Sequence, residues 1–129
     1  MKNIDLKTKK ICSESSSDSP VFIVAEIGCN FEGDMGRARE MIRTSAKAGI
    51  DAVKFQTFNT EYYVSKSDIK RYERLKSFEL SKSQFEKLSE LTHSLGMLFI
   101  STPFDLESSF FLESHVDCYK IASGDNNFY

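Results

Sequence analysis

Four short apolar runs alternate with amphipathic stretches along the chain, and this alternation restricts the fold more than any other feature. The first run, residues 21–26, is almost continuously apolar, which is typical of a parallel strand covered on both faces. Residues 51–57, 97–101 and 118–122 repeat the pattern. Strands that alternate with helices predict a parallel sheet with right-handed crossovers.

The stretches between the strands carry helix signals. Small and apolar residues recur at helical spacing over 35–48, and Gly49 follows at the position of a left-handed C-cap. Ser81 and Gln84 have the spacing of a capping box at the start of a second helix. Asp105 is a suitable N-cap for a third helix, over about 106–115.

Two segments do not follow the alternation. Residues 1–20 are polar and lysine-rich, and we expect a separate N-terminal segment in which 4–6 and 9–11 could pair as a short hairpin. Residues 58–80 form a long polar and aromatic connection after the second strand. Long connections are uncommon and often functional, so a substrate lid and a packed surface excursion are equally favoured here.

A closed (β/α)₈ barrel needs about 250 residues. The 129 residues supply about half of that. The prediction is therefore an α/β fold, the N-terminal half of a TIM (β/α)₈ barrel over residues 21–129, with about four parallel strands and three helices. An open doubly wound sheet is the alternative, and periodicity does not exclude it.

Charge and composition exclude two classes of partner. A net charge of −2 gives no electrostatic basis for nucleic-acid binding. No apolar run approaches the roughly 18 residues of a membrane span, and the N-terminus lacks a secretory signal. The three cysteines match no zinc or redox spacing, which favours reduced thiols in a cytoplasmic protein.

Polar side chains end each of the four strands, where parallel α/β folds collect functional groups. Alternate residues of a strand face opposite sides, so Lys54 and Gln56 lie opposite Val53 and Phe55. The apolar pair suits the helix layer, which predicts that Lys54 and Gln56 point into the barrel. The same alternation predicts that Lys120 points inward from the fourth strand.

Two inward lysines are costly unless an anion joins them, and a phosphate or carboxylate would suffice. The hydroxyl groups of Thr102 and Ser123 at the same rim would add donors. A buried salt bridge between an inward lysine and Glu26, which binds no ligand, is the alternative. His93 and His115 are expected to be solvated rather than ligands.

Four blocks of sequence resemble, in order, the strands of the sialic acid synthase family. They are residues 23–28 (IVAEIG, followed by Asn30 and Gly33), 48–57 (AGIDAVKFQT), 99–105 (FISTPFD) and 119–127 (YKIASGDNN). The resemblance covers about 21–129. It implies a (β/α)₈ barrel that is usually followed by a small antifreeze-protein-like domain.

The resemblance also implies a reaction. Such enzymes condense phosphoenolpyruvate with N-acetylmannosamine, its 6-phosphate or a related N-acylated amino sugar, giving a nine-carbon 2-keto sugar acid and phosphate. A divalent metal, Mn²⁺ or Mg²⁺, polarises the sugar aldehyde, and the full-length enzymes are expected to be homodimers. Alternatives are a legionaminic acid, pseudaminic acid or spore-coat polysaccharide synthase, or a non-catalytic half-barrel that binds anions or self-associates.

The same resemblance implies roles for seven residues. The phosphoenolpyruvate-binding residues are Lys54, Thr102, Lys120 and Ser123; the sugar-binding residues are Gln56 and Asp125; the catalytic residue is Glu26. Glu26 would transfer a proton or contact metal-bound water.

Two departures from the family pattern stand out. Phe31 replaces the usual histidine after the first strand and cannot form its hydrogen bond. The family's metal-binding histidines lie on later strands, so we expect no metal ligand in this chain and no synthase activity from it alone.

Overall fold

Four parallel strands lie side by side in chain order in the computed structural model, which describes residues 21–126. They are β1 (Val24–Gly28), β2 (Ala52–Thr57), β3 (Leu98–Pro103) and β4 (Cys118–Tyr119). Consecutive order is the arrangement within a (β/α)₈ barrel, whereas the strand order of a doubly wound sheet reverses at a switch point. The half-barrel prediction is confirmed, and the predicted hairpin in residues 1–20 lies outside the described residues.

Five α-helices accompany this sheet within the described residues. They are α1 (Met35–Lys47), α2 (Thr60–Tyr63), α3 (Ile69–Phe78), α4 (Lys82–Ser94) and α5 (Leu106–Leu112), and a 3₁₀ turn follows at Ser123–Asp125. The sequence predicted α1, α4 and α5. The two additional helices, α2 and α3, lie in the 58–80 connection.

The predicted caps are present. The Ser81 hydroxyl accepts from the Gln84 N–H while the Gln84 side chain accepts from the Ser81 N–H, which completes the capping box of α4. The Asp105 carboxylate accepts from the Ser108 N–H at the start of α5. Gly49 follows α1 with a φ of +75°, the left-handed conformation that its position predicted.

Several predicted boundaries are wrong by a few residues. β1 begins at Val24 rather than at residue 21, and it extends to Gly28. β3 continues through Pro103, because the Phe104 N–H still donates to the Thr57 carbonyl. β4 has only two residues and pairs only with β3 among the described residues. The Lys120 N–H extends this short ladder by one hydrogen bond to the Ser101 carbonyl.

The main core lies between the sheet and the helices. Phe55 and Phe99 are fully buried with ring centroids 5.3 Å apart, and Leu88 of α4 and Ile42 of α1 close the same cluster. A smaller cluster of Ala52, Leu98 and Ile100 occupies the opposite face, with Phe22 and Cys118 packed against it. This second face corresponds to the interior of the barrel.

The 58–80 connection is a packed excursion rather than an open lid. The hydroxyl and backbone N–H groups of Thr60 both donate to Glu79 Oε2, at 2.6 and 2.9 Å, and so join the two ends of the connection. The Tyr63 ring lies between Phe58 and Phe104, with centroid distances of 5.2 and 4.6 Å. These contacts hold α2 against the carboxyl ends of β2 and β3.

The helices in the described part of the chain are short compared with a membrane span. The longest helices, α1 and α4, have 13 residues each. No helix among residues 21–126 is long and apolar enough to span a bilayer.

Candidate functional site

The inner face of the sheet brings four of the predicted site residues into two adjacent pairs. Glu26 on β1 is in register with Lys54 on β2, and Gln56 on β2 is in register with Thr102 on β3. The neighbours Val53 and Phe55 belong to the helix-side core. Because side chains alternate along a strand, Lys54 and Gln56 face the barrel interior, as predicted.

A salt bridge joins the Lys54 ammonium group to the Glu26 carboxylate. The Lys54 side chain is 17% exposed and that of Glu26 is 51% exposed. The lysine therefore lies deeper in the inner face, while the glutamate remains accessible at the edge strand. This is the ion pair that the sequence left open as an alternative to anion binding.

Thr102 presents an unpaired hydroxyl group on the same inner face, in register with Gln56. Its side chain is 2% exposed, and within residues 21–126 its Oγ1 is the one buried side-chain polar atom without a hydrogen-bond partner. Leaving such a group unsatisfied costs about 1–3 kcal/mol, so a buried orphan hydroxyl calls for an explanation. The next residue back, Ser101, is on the helix side and is satisfied by Thr57 Oγ1 at 2.7 Å.

Sequence reasoning missed one member of this site, Cys29. Its Sγ donates to Gln56 Oε1 at 3.2 Å from the turn that follows β1. Burial, followed by the nearby Glu26 carboxylate, raises the pKa of the Cys29 thiol to about 11. A thiol in a loop has no periodic signal, and only its place just beyond a strand end distinguished it from Cys118.

The predicted site residues at and after the fourth strand are more exposed than those on β2 and β3. Cys118 packs on the inner cluster. Tyr119 faces the helix side, where its hydroxyl donates to the Ser109 carbonyl of α5. Because side chains alternate along a strand, Lys120 lies on the inner side again, beyond the Ile100–Cys118 pair. Lys120 is exposed at the end of the sheet. Ser123 and Asp125 lie in the exposed 3₁₀ turn, and the described contacts do not join them to Lys54 or Thr102.

Phe31 has a structural role here. It is 1% exposed, and its ring lies 5.8 Å from that of Phe55 in the helix-side core. The aromatic ring therefore packs away from the inner face, so its inability to form a hydrogen bond does not leave a gap among the inner-face residues.

The two histidines lie away from the inner face. His93 is half-exposed, and its Nε2 lies 2.8 Å from Asp117 Oδ2, which also accepts from the Phe99 N–H. His115 stacks on Phe111 at 4.7 Å. Among residues 21–126, no three His, Cys, Asp or Glu side chains converge in a way that could hold a metal ion.

Comparison with known proteins decides the family. Residues 41–129 match the sequence model of the NeuB family. This chain belongs to the NeuB family. The NeuB match includes β2, β3 and β4 and therefore the inner-face residues Lys54, Gln56 and Thr102, but not Glu26 or Cys29.

Curated relatives extend the similarity to the first strand. The chain is 42% identical over 123 residues to the N,N'-diacetyllegionaminic acid synthase of Legionella pneumophila, covering 84% of this chain and 35% of the relative. It is 31% identical over 121 residues to the N-acetylneuraminate-9-phosphate synthase of Mus musculus, covering 84% and 34%. The chain thus spans about a third of the length of these relatives.

A solved structure supports the same fold. The N-acetylneuraminic acid synthetase of Leptospira borgpetersenii serovar Hardjo-bovis, crystallised in complex with citrate, matches with a TM-score of 0.77 at 37% identity. The match covers 82% of this chain and 37% of that one. The four strands therefore correspond to part of a sialic-acid-synthase TIM barrel.

Proposed function

We propose that this chain supplies the phosphoenolpyruvate-facing half of the active site in a sugar-acid synthase. Membership of the NeuB family supports a synthase of this general kind. The observation that carries the proposal is the buried, unpaired hydroxyl of Thr102, which lies on the same inner face as the inward ammonium of Lys54, two residues along β3 from Ile100, the partner of Lys54. A phosphate or carboxylate oxygen would accept from both groups, which supplies the missing partner of Thr102 and a second counter-ion for Lys54.

The anion would lie along the inner face from β2 to β4. Lys54 and Thr102 would bind it from the buried side, and Lys120 and Ser123 would close over it from the exposed end of β4. Both lysines are point charges suited to phosphate. Citrate in the Leptospira crystal is a carboxylate anion, which makes it a useful competitor in binding experiments.

The sugar would lie above this anion. Gln56 would contact a sugar oxygen, and Asp125 would accept from a sugar hydroxyl. In the reaction, the enol carbon of phosphoenolpyruvate forms a bond to the aldehyde carbon of the amino sugar, water adds to the resulting oxocarbenium carbon, and phosphate leaves. Glu26, exposed at the rim, would transfer the accompanying proton.

A divalent cation, Mn²⁺ or Mg²⁺, would polarise the aldehyde when bound. The described residues do not gather a ligand set, so its ligands would come from elsewhere in the protein. For this reason we propose that the 129-residue chain binds phosphoenolpyruvate but does not catalyse condensation. We also propose that the protein is cytoplasmic and forms a homodimer.

Titration of the ¹⁵N-labelled chain with phosphoenolpyruvate tests the proposal. We expect shifts at Lys54, Thr102 and Lys120 that citrate competes away. Shifts confined to exposed lysines such as Lys66, or none at all, would contradict it. In parallel, incubation of the chain with phosphoenolpyruvate and N-acetylmannosamine should release no phosphate, and release would contradict the expected inactivity.

A second candidate differs only in the sugar. The identity of 42% to the Legionella enzyme exceeds that of 31% to the mouse enzyme, which favours a diacetylated legionaminic-type product over N-acetylneuraminate 9-phosphate.

A non-catalytic, self-associating half-barrel is supported by the exposed apolar residues Ile23 and Ile121 near the two edge strands. Size-exclusion chromatography separates this option, because a monomer would contradict self-association.

A further inference from the structure

We propose that Cys29 is a positioning residue that fixes the orientation of the Gln56 amide, so that Gln56 meets its sugar ligand as a hydrogen-bond donor. The inference rests on the proposed function, since it assumes that Gln56 faces the sugar.

The turn that bears Cys29 is tightly bonded, which fixes the backbone position of Cys29 next to β2. The Asn30 backbone N–H and side-chain amide both donate to the Ile27 carbonyl, at 3.0 and 2.9 Å. The Glu32 N–H donates to the Cys29 carbonyl at 3.0 Å, and Glu32 adopts a φ of +52°. Because these three hydrogen bonds order the backbone at Cys29, only the side-chain rotamer of the thiol remains to be fixed by its contact with Gln56.

The thiol acts as a donor under ordinary conditions. Burial and the Glu26 carboxylate raise the pKa of Cys29 to about 11, so its proton is retained near neutral pH. The Sγ–H group donates to Gln56 Oε1 over 3.2 Å. A thiolate would instead attract the amide N–H donors and turn the Gln56 side chain over.

Fixing the amide oxygen fixes the other end of the amide. A primary amide presents an acceptor on one side and two N–H donors on the other, and the two orientations occupy the same volume. With Oε1 directed to Cys29, the N–H donors of Gln56 turn away from the β1 turn. Gln56 then selects a ligand oxygen with a free lone pair, such as a hydroxyl or carbonyl oxygen of the sugar, and disfavours a group that can only donate.

Three variants separate the thiol's hydrogen bond from its volume. Cys29→Ser keeps a donor, Cys29→Val keeps an apolar side chain of similar size without a donor, and Cys118→Val removes a thiol that contacts the Tyr119 carbonyl instead of Gln56. The readout is the pair of Gln56 side-chain NH₂ resonances in ¹⁵N spectra, together with the order parameter of that side chain.

We expect the Gln56 amide to remain ordered in the unmodified chain, Cys29→Ser and Cys118→Val, and to become mobile in Cys29→Val. Unchanged resonances and order in Cys29→Val would overturn the inference. If Cys29→Val fails to fold, Cys29→Thr, which restores a hydroxyl donor on the same branched side chain, should recover both folding and Gln56 order, and a folded Cys29→Thr with a mobile Gln56 would also overturn it.

A titration with N-acetylmannosamine in the presence of phosphoenolpyruvate then separates the inference from the proposed function. We expect Gln56 to shift in all folded variants, with affinity weaker by about fivefold in Cys29→Val alone, the effect of one hydrogen bond. Equal affinity in Cys29→Val and Cys29→Ser would overturn positioning. Absence of any sugar-induced shift, with Gln56 still mobile in Cys29→Val, would overturn the sugar site while the effect of Cys29 on Gln56 stands.

Discussion

Lys54 of β2 is paired with Glu26 of the neighbouring β1, and the lysine is the more buried partner, with 17% of its side chain exposed against 51% for the glutamate. An ion pair with one partner in solvent contributes at most about 1 kcal/mol to stability. The pair is therefore too weak to explain an inward lysine as a structural device. In the proposed function, the phosphate or carboxylate of phosphoenolpyruvate would join Glu26 as a second counter-ion of Lys54.

Replacing Lys54 tests this interpretation. We expect Lys54→Met to weaken phosphoenolpyruvate binding at least about tenfold, since a buried charge-assisted hydrogen bond is lost. The free energy of unfolding in urea should change by less than about 1 kcal/mol. Lys66→Met is the matched control, because Lys66 pairs with Glu61 on the exposed surface of the 58–80 connection. A loss of several kcal/mol in Lys54→Met with unchanged affinity would identify a structural salt bridge.

Thr102 offers a comparison between an unpaired and a paired hydroxyl. Thr92 is also buried, but its hydroxyl donates to the Leu88 carbonyl at 2.8 Å. We expect Thr92→Val to lower the free energy of unfolding by about 1 kcal/mol, and Thr102→Val to leave it unchanged or raise it slightly. Only Thr102→Val should weaken phosphoenolpyruvate binding. Equal destabilisation of the two variants would mean that the Thr102 hydroxyl is already satisfied.

Two glycines with the same backbone conformation differ in their surroundings, so comparing them separates the cost of a steric clash from the cost of the conformation itself. Gly33 and Gly49 have φ values of +78° and +75°, but a Cβ at Gly33 would overlap the Ser77 carbonyl at the end of α3, whereas one at Gly49 would meet no atom within 4 Å. We expect Gly49→Ala to cost about 1 kcal/mol and Gly33→Ala about 3 kcal/mol. Thermal unfolding with calorimetry measures both. Equal losses would show that α3 does not depend on the turn after β1.

Much of the fold could be predicted from the sequence, because the apolar residues of a buried face recur at regular spacing. Ala38 and Ile42 of α1 are fully buried, and apolar spacing predicted this helix. Leu88 of α4 is also fully buried, and the Ser81–Gln84 capping box predicted where α4 begins. Helix α3 has no fully buried residue, although Ile69, Tyr72, Leu75 and Phe78 recur every three residues, a helical signal that the sequence prediction missed. It is held instead by local contacts, the Asp68 cap and the Glu79 clamp on Thr60, and such contacts do not recur with a period.

The site was predicted best where a strand is paired on both sides. β2 lies between β1 and β3, so burial of Val53 and Phe55 on one face determines that Lys54 and Gln56 occupy the other. β4 has one neighbour among the described strands, and its shorter ladder leaves Lys120 beyond the last paired residue. The contact of Cys29 with Gln56 could not be predicted, because it comes from the fold of a turn rather than from a strand pattern.

The acid stability of the 58–80 connection should depend on Glu79. Partial burial opposes ionisation of this carboxyl group, but the Thr60 hydroxyl, the Thr60 N–H and the Lys76 ammonium outweigh it and hold the pKa of Glu79 below its ordinary value of 4.5. A carboxyl group whose pKa is lower in the folded than in the unfolded chain stabilises the fold above the unfolded pKa. That contribution is lost as the pH falls through the folded pKa.

We therefore expect Glu79→Gln to lower the free energy of unfolding by about 1 kcal/mol at pH 7, a modest value because Lys76 is solvated. The difference from the unmodified chain should shrink as the pH falls below 4.5. Urea denaturation between pH 7 and pH 3 measures this, and Glu73→Gln on the exposed side of α3 is the control. A difference that stays constant across this range would show that Glu79 acts through packing rather than through its charge, because only the charged form receives the Thr60 and Lys76 hydrogen bonds at full strength.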